Sequence, residues 1–133
     1  MDDLLQLAAD AGVHVIWRDL GRRRGEYRDQ HRLITLNPRM STVLQRSTLA
    51  HELGHHHHGD TWVDDAAVLA AHERRATAFA AHLLITPSAY ARAEALVGPH
   101  AGAIARELEV SRYIVDAWQT LRLRQVPTQR RSA

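Results

Sequence analysis

The spacing of apolar positions changes period twice along the chain. Over residues 2–11, Leu4, Leu5, Leu7 and Ala8 recur at helical spacing and Gly12 ends the run, which predicts a short opening helix. Two brief apolar runs follow, "VHVIW" at residues 13–17 and "LITL" at residues 33–36. Both are rich in β-branched residues, and the glycine-punctuated "DLGRRRGEYRDQHR" lies between them, so two or three antiparallel strands are predicted, with Tyr27 on a middle one. After Asn37 and Pro38 the period is helical almost to the end. One helix is predicted from Ser41 to His58, stopped by Gly59, and another from an Asp64 or Asp65 cap to Ile85, stopped before Pro87. A short helix capped by Ser88 should reach Leu96. "GPHAG" then separates it from helices over residues 101–109 and 111–124, and a polar tail over residues 125–133 is expected to be disordered. The pattern therefore predicts an α+β fold: one mostly helical domain over residues 1–124, with a small antiparallel N-terminal sheet.

Composition narrows the chemistry. At 133 residues the chain suits one core, and it has no run of about eighteen apolar residues and an acidic, amphipathic start, so a soluble cytoplasmic protein with no membrane span is expected. Cysteine is absent, which excludes disulfides and thiolate metal sites and leaves His, Asp and Glu as ligands. All seventeen basic residues are arginine, yet the net charge is only +2. The clusters "GRRRGEYR" at residues 21–28 and "TQRRSA" at the C-terminus read more simply as a solvated hairpin tip and a tail than as phosphate-binding patches.

The densest chemistry is "HELGHHHHGD", residues 51–60. At about 100° per residue, His51 and His55 lie roughly 40° apart on one helix face, which lets two imidazoles reach one ion. Glu52 lies about 100° round from His51, placed to lean toward an open coordination position; His-Glu-x-x-His on a helix is a zinc site with a built-in base. His58 falls about 20° from His51 and is a candidate second-layer group, whereas His56 and His57 point elsewhere. Small Gly54 leaves room for a close neighbour.

A catalytic zinc needs a third protein ligand. The metzincin arrangement would need a glycine at His58, and Gly59 and Asp60 are one residue out of phase, so Asp60 is only a distant candidate. Glu73 is the other: it stands on the stripe Leu69, Glu73, Ala76, Ala80, Leu84, a lone carboxylate on an apolar face whose burial a metal would relieve. A surface pair between Glu73 and Arg46 or Arg106 explains the same carboxylate equally well.

Over residues 33–123 the chain resembles the ImmA/IrrE family of zinc metallopeptidases, which are gluzincin-like zincins. "RLITLNP" looks like the strand before the family's active-site helix, "RSTLAHELGH" matches its core motif, "ERRATAFAAHLLITP" is similar to its E-x-x-A-N-x-F-A-x-x-L-L-M-P segment, and "IARELEVSRYIVDAWQTLR" resembles its helix-turn-helix-like end, residues 100–124. The resemblance implies His51, His55 and Glu73 as ligands of one zinc ion and Glu52 as the catalytic carboxylate. Arg75 and Thr77 depart from the family's usual Glu and Asn. His72, His82 and Tyr90 are candidate oxyanion donors, and the strand ending at Leu36 is the expected place for an extended substrate to pair. The implied activity is site-specific endoproteolysis of a helix-turn-helix repressor from a phage or mobile element. The alternatives are a repressor-binding protein that does not cut, or a DNA-binding regulator with a structural zinc. Against DNA, the last helix offers only Arg112, Tyr113 and Asp116 near its start.

Overall fold

The computed structural model describes the backbone over residues 1–132 and the side chains over residues 1–124, and the side chains of the tail expected over residues 125–133 lie outside the described residues. Among the described residues, six α-helices and three strands follow in the order α1 (Asp2–Asp10), β1 (His14–Trp17), β2 (Gly25–Arg28), β3 (Leu33–Leu36), α2 (Thr42–His58), α3 (Ala66–Leu84), α4 (Pro87–Val97), α5 (Ala101–Leu108) and α6 (Arg112–Ser132). Among the described residues no helix is long and apolar enough to cross a membrane.

The α+β, mostly helical class stands, but the sheet is mixed rather than antiparallel. Its order is β1-β3-β2: β1 runs parallel to β3, with Val15 opposite Ile34, and β2 runs antiparallel to β3, with Tyr27 opposite Ile34. Tyr27 is therefore on an edge, and β3 is the middle strand. Burial explains the choice. β3 carries no charge, and Ile34, Thr35 and Leu36 are all fully buried, whereas β2 carries Glu26 and Arg28 and suits an edge. A single 3-10 turn at Asp29–His31 joins β2 to β3, and a connection that short permits only the antiparallel pairing.

Local signals set the helix ends. Ser41 caps α2 by accepting from the Leu44 N–H at 3.2 Å, and Gly59 closes it in the left-handed conformation at φ 64. The Asp65 carboxylate accepts from the Ala67 and Val68 N–H groups at the start of α3. The cap of α4 is Thr86 rather than Ser88: Pro87 takes the first helical position, where its missing N–H costs nothing, so the cap must precede it. One core joins the layers, with Leu49, Ala50 and Leu53 of α2 beneath Ile34 and Leu36, continuing through Ile85 to Ile104, Ile114 and Val115.

Two contacts bring other elements against α2. A Cβ on Gly54 would lie 2.8 Å from both Cα and the carbonyl oxygen of Ala76, so α2 and α3 meet backbone to backbone there. One helical turn before His51, the buried Ser47 hydroxyl accepts from the Ser111 N–H at 3.0 Å and ties the start of α6 to the same helix.

Candidate metal centre

His51, Glu52 and His55 share the middle of α2, and the close crossing at Gly54 carries α3 past them with Glu73 on the near side. The Glu73 carboxylate spans the two imidazoles: Oε2 lies 2.7 Å from His51 Nε2, and Oε1 lies 3.1 Å from His55 Nε2. The rings stand nearly perpendicular, with centroids 4.9 Å apart. Two imidazole nitrogens and a carboxylate thus converge on one point. Neither alternative partner is involved: Arg46 pairs with Asp3 at 3.0 Å, and no contact ties Glu73 to Arg106 among the described residues. One feature differs from expectation. The Glu73 side chain is 61% exposed, not buried on an apolar face, because its end of the stripe opens onto a cleft.

The far nitrogen of each imidazole has its own partner. His51 Nδ1 lies 3.1 Å from the Thr77 hydroxyl, and His55 Nδ1 lies 2.9 Å from Oδ2 of the buried Asp60. The other oxygen of Asp60, Oδ1, accepts from Arg75 at 2.9 Å, and His72 Nε2 stands 3.7 Å from it. Asp60 is thus not placed as a ligand. It aims His55 from behind, as carboxylates commonly do for metal-bound histidines. The two departures from the family pattern, Arg75 and Thr77, are the positions that support these two rings.

Charge follows from this geometry. Burial pulls His55 down, but hydrogen bonds to Glu73 and Asp60 outweigh it and hold the ring near 9. Hydrogen bonds from His51 and His55 keep the Glu73 carboxyl far below the usual carboxylate range. Glu52 is pushed up by burial, against the pull of His51 and His55. Two imidazoles, each held at its far nitrogen by a partner, and a carboxylate that touches both form a donor set that could hold a divalent metal ion. A different triplet is also close, since His51, Glu52 and His55 offer atoms within 4.8 Å of one another. Glu73 fits better because one carboxylate reaches both Nε2 atoms, while Glu52 is buried against β2: a Cβ on Gly25 would lie 3.5 Å from its Cγ.

The cleft, about 390 Å³, is lined by Arg23, Arg24 and Gly25 at the start of β2, Thr48, His51 and Glu52 of α2, Glu73 and Thr77 of α3, and Tyr113 of α6. Tyr113 comes from α6; its ring centroid lies 6.4 Å from that of His51, and the Arg24 guanidinium sits 5.6 Å from its face. Burial pushes the phenol up to about 12 against the opposing charge of Arg24, so it keeps its proton at neutral pH. Neither Tyr113 nor Arg24 was singled out for this cleft by sequence spacing, and no local rule connects residues 24 and 113 to residue 51.

The other candidates fall elsewhere. His58 is exposed, its ring against His57 and Phe79. His72 stands beside Asp60, which supports His55. His82 and Tyr90 line a separate cavity with Trp118. The strand ending at Leu36 is the middle of the sheet and has no free edge; the edge beside the cleft belongs to β2. At the start of α6, Tyr113 turns into the cleft and Arg112 lies 3.9 Å from Asp116, which leaves little surplus positive charge there for DNA phosphates.

Residues 8–117 match the profile of a peptidase family described as the IrrE N-terminal-like domain. No curated protein matches the chain.

Proposed function

The chain belongs to the IrrE N-terminal-like peptidase family, and from that premise we propose that it is a zinc-dependent endopeptidase with His51, His55 and Glu73 as ligands and Glu52 as general base. The observation that carries this reading is the single Glu73 carboxylate reaching both Nε2 atoms, with Glu52 one residue from His51 on the same helix. Zinc bound there would supply Lewis acidity and lower the pKa of a water from 15.7 to about 7. Glu52 takes the proton of the attacking water and returns it to the leaving amine; its raised affinity for protons suits that task. Thr77 and Asp60 keep the two rings in place during the reaction. Tyr113, protonated and lining the same cleft, donates a hydrogen bond to the oxygen that becomes negative. The substrate class implied by the family resemblance is a helix-turn-helix repressor of a phage or mobile element, cut in the cytoplasm.

The test is direct. Zinc-loaded protein incubated with a repressor encoded beside it should produce one internal cut, read as a new N-terminus by mass spectrometry. Stoichiometric zinc with no cut in any such repressor would replace the peptidase with a binder that does not cleave. For the proposed oxyanion donor, Tyr113→Phe is expected to lower kcat by about a hundredfold with KM nearly unchanged. The variant should also lose affinity for a phosphinic peptide, which mimics the tetrahedral state, while keeping its zinc. A kcat within threefold of wild type would remove Tyr113 from the mechanism.

A further inference from the structure

Around β2 the cations outnumber the acids. Arg18, Arg23 and Arg28 converge on one carboxylate, that of Glu26, at 3.5, 2.9 and 3.5 Å. Glu26 is only 15% exposed, while each arginine is close to 60% exposed, so one partly buried negative charge faces three cations turned toward solvent. Arg24 adds a fourth. Among the described residues its guanidinium meets the Tyr113 ring and no carboxylate, and it stands in the cleft itself. Arg22, beside them, is exposed as well.

The position of this charge matters as much as its size. β2 is an edge strand, with unpaired backbone groups along one side. Its first residue, Gly25, lies against Glu52 so closely that a side chain would strike Thr48, at 2.8 Å, and approach Glu52. A chain pairing with that edge therefore runs past the general base and beside Arg23 and Arg24, which line the same cleft. A strand edge suits a peptide backbone, which can complete the ladder; a sugar-phosphate chain has no such groups to offer.

We propose that the substrate docks as an extended strand on the free edge of β2 and carries Asp or Glu side chains beside the scissile bond, read by Arg24 and Arg23. This rests on the peptidase reading, which supplies the scissile bond. It makes the arginine cluster a specificity device for acidic peptide rather than a solvated loop.

The inactive but intact Glu52→Gln protein provides the binding assay. Fluorescein-labelled peptides of one length, with acidic, neutral or lysine side chains at the central positions, are followed by anisotropy alongside a single-stranded RNA and a DNA duplex. The acidic peptide is expected to bind roughly tenfold more tightly than the neutral one, the effect of two partly exposed ion pairs, and the gap should close as salt is raised. Adding Arg24→Glu should erase the preference, and Arg24→Gln should reduce it to about threefold, the share left to Arg23. Equal affinity for acidic and neutral peptides, or a preference unmoved by Arg24→Glu, overturns the inference. Tighter binding of either nucleic acid overturns it in favour of a phosphate-binding rim. Wild-type protein separates this from the underlying reading. Cleavage without charge preference sinks the specificity device and leaves the peptidase, whereas charge-selective binding with no cleavage by zinc-loaded wild type sinks the peptidase and leaves the docking edge.

Discussion

Glu52→Gln is expected to lower kcat for peptide cleavage by roughly 10²–10⁴-fold, the usual contribution of a positioned general base, while the protein keeps one zinc per chain. Glutamine has the same shape and still fills the niche between α2 and Gly25, but it cannot accept the water proton. Stability should hold or rise, because the substitution removes a carboxylate that is 6% exposed and whose ionised form burial disfavours. Zinc content is the decisive second measurement, since His51, Glu52 and His55 also stand close enough to form a triplet. If Glu52 were the third ligand, Glu52→Gln would lose the metal and Glu73→Ala would retain it. With Glu73 as ligand the pattern is the reverse, and Glu73→Ala should weaken zinc by more than the 10–100-fold that a supporting residue commands. Calorimetric zinc titration of both variants, beside steady-state kinetics, distinguishes the two assignments.

What was legible in the sequence was what local geometry determines. Ser41, Gly59 and Asp65 mark helix ends through their own hydrogen bonds or conformation, and all three act at the expected positions. His51, Glu52 and His55 sit within about one turn, so helical angle alone places them on neighbouring faces. Strand order was not legible, because alternation shows which face is buried and not which neighbour is paired; only the uncharged character of "LITL" hinted at the middle position. Two of the remaining candidates lie away from the cleft for identifiable geometric reasons. His82 follows Glu73 by nine residues, which at about 100° each put it on the opposite side of α3. His58 matches His51 in angle but stands roughly 10 Å further along the axis, two turns from that ring. Tyr113 and Arg24 reach the cleft from α6 and from the loop before β2, by contacts that only the folded chain creates.

Gly54 links the stability of the fold to the site. Gly54→Ala is expected to lower the melting temperature by about 5–10 °C and to weaken zinc binding as well, although alanine is the better helix former by roughly 1 kcal/mol. That gain is outweighed. The new methyl would meet the Ala76 Cα and carbonyl oxygen at 2.8 Å, and these are backbone atoms that cannot rotate aside. The two helices would have to part across a buried interface, and overpacking of this kind costs about 1–3 kcal/mol, with rigid backbone on the far side placing it at the upper end. Glu73 precedes Ala76 by three residues on α3, so the separation draws its carboxylate away from His51 and His55, now at 2.7 and 3.1 Å. Gly59→Ala is the control. Its cost comes from the left-handed backbone at φ 64, with nothing within 4 Å of the new methyl, so it should destabilise the protein without changing zinc affinity. Thermal melts and zinc titrations of the pair would show whether the helix crossing sets the metal geometry. A Gly54→Ala protein that melts like wild type and binds zinc as tightly would mean that it does not.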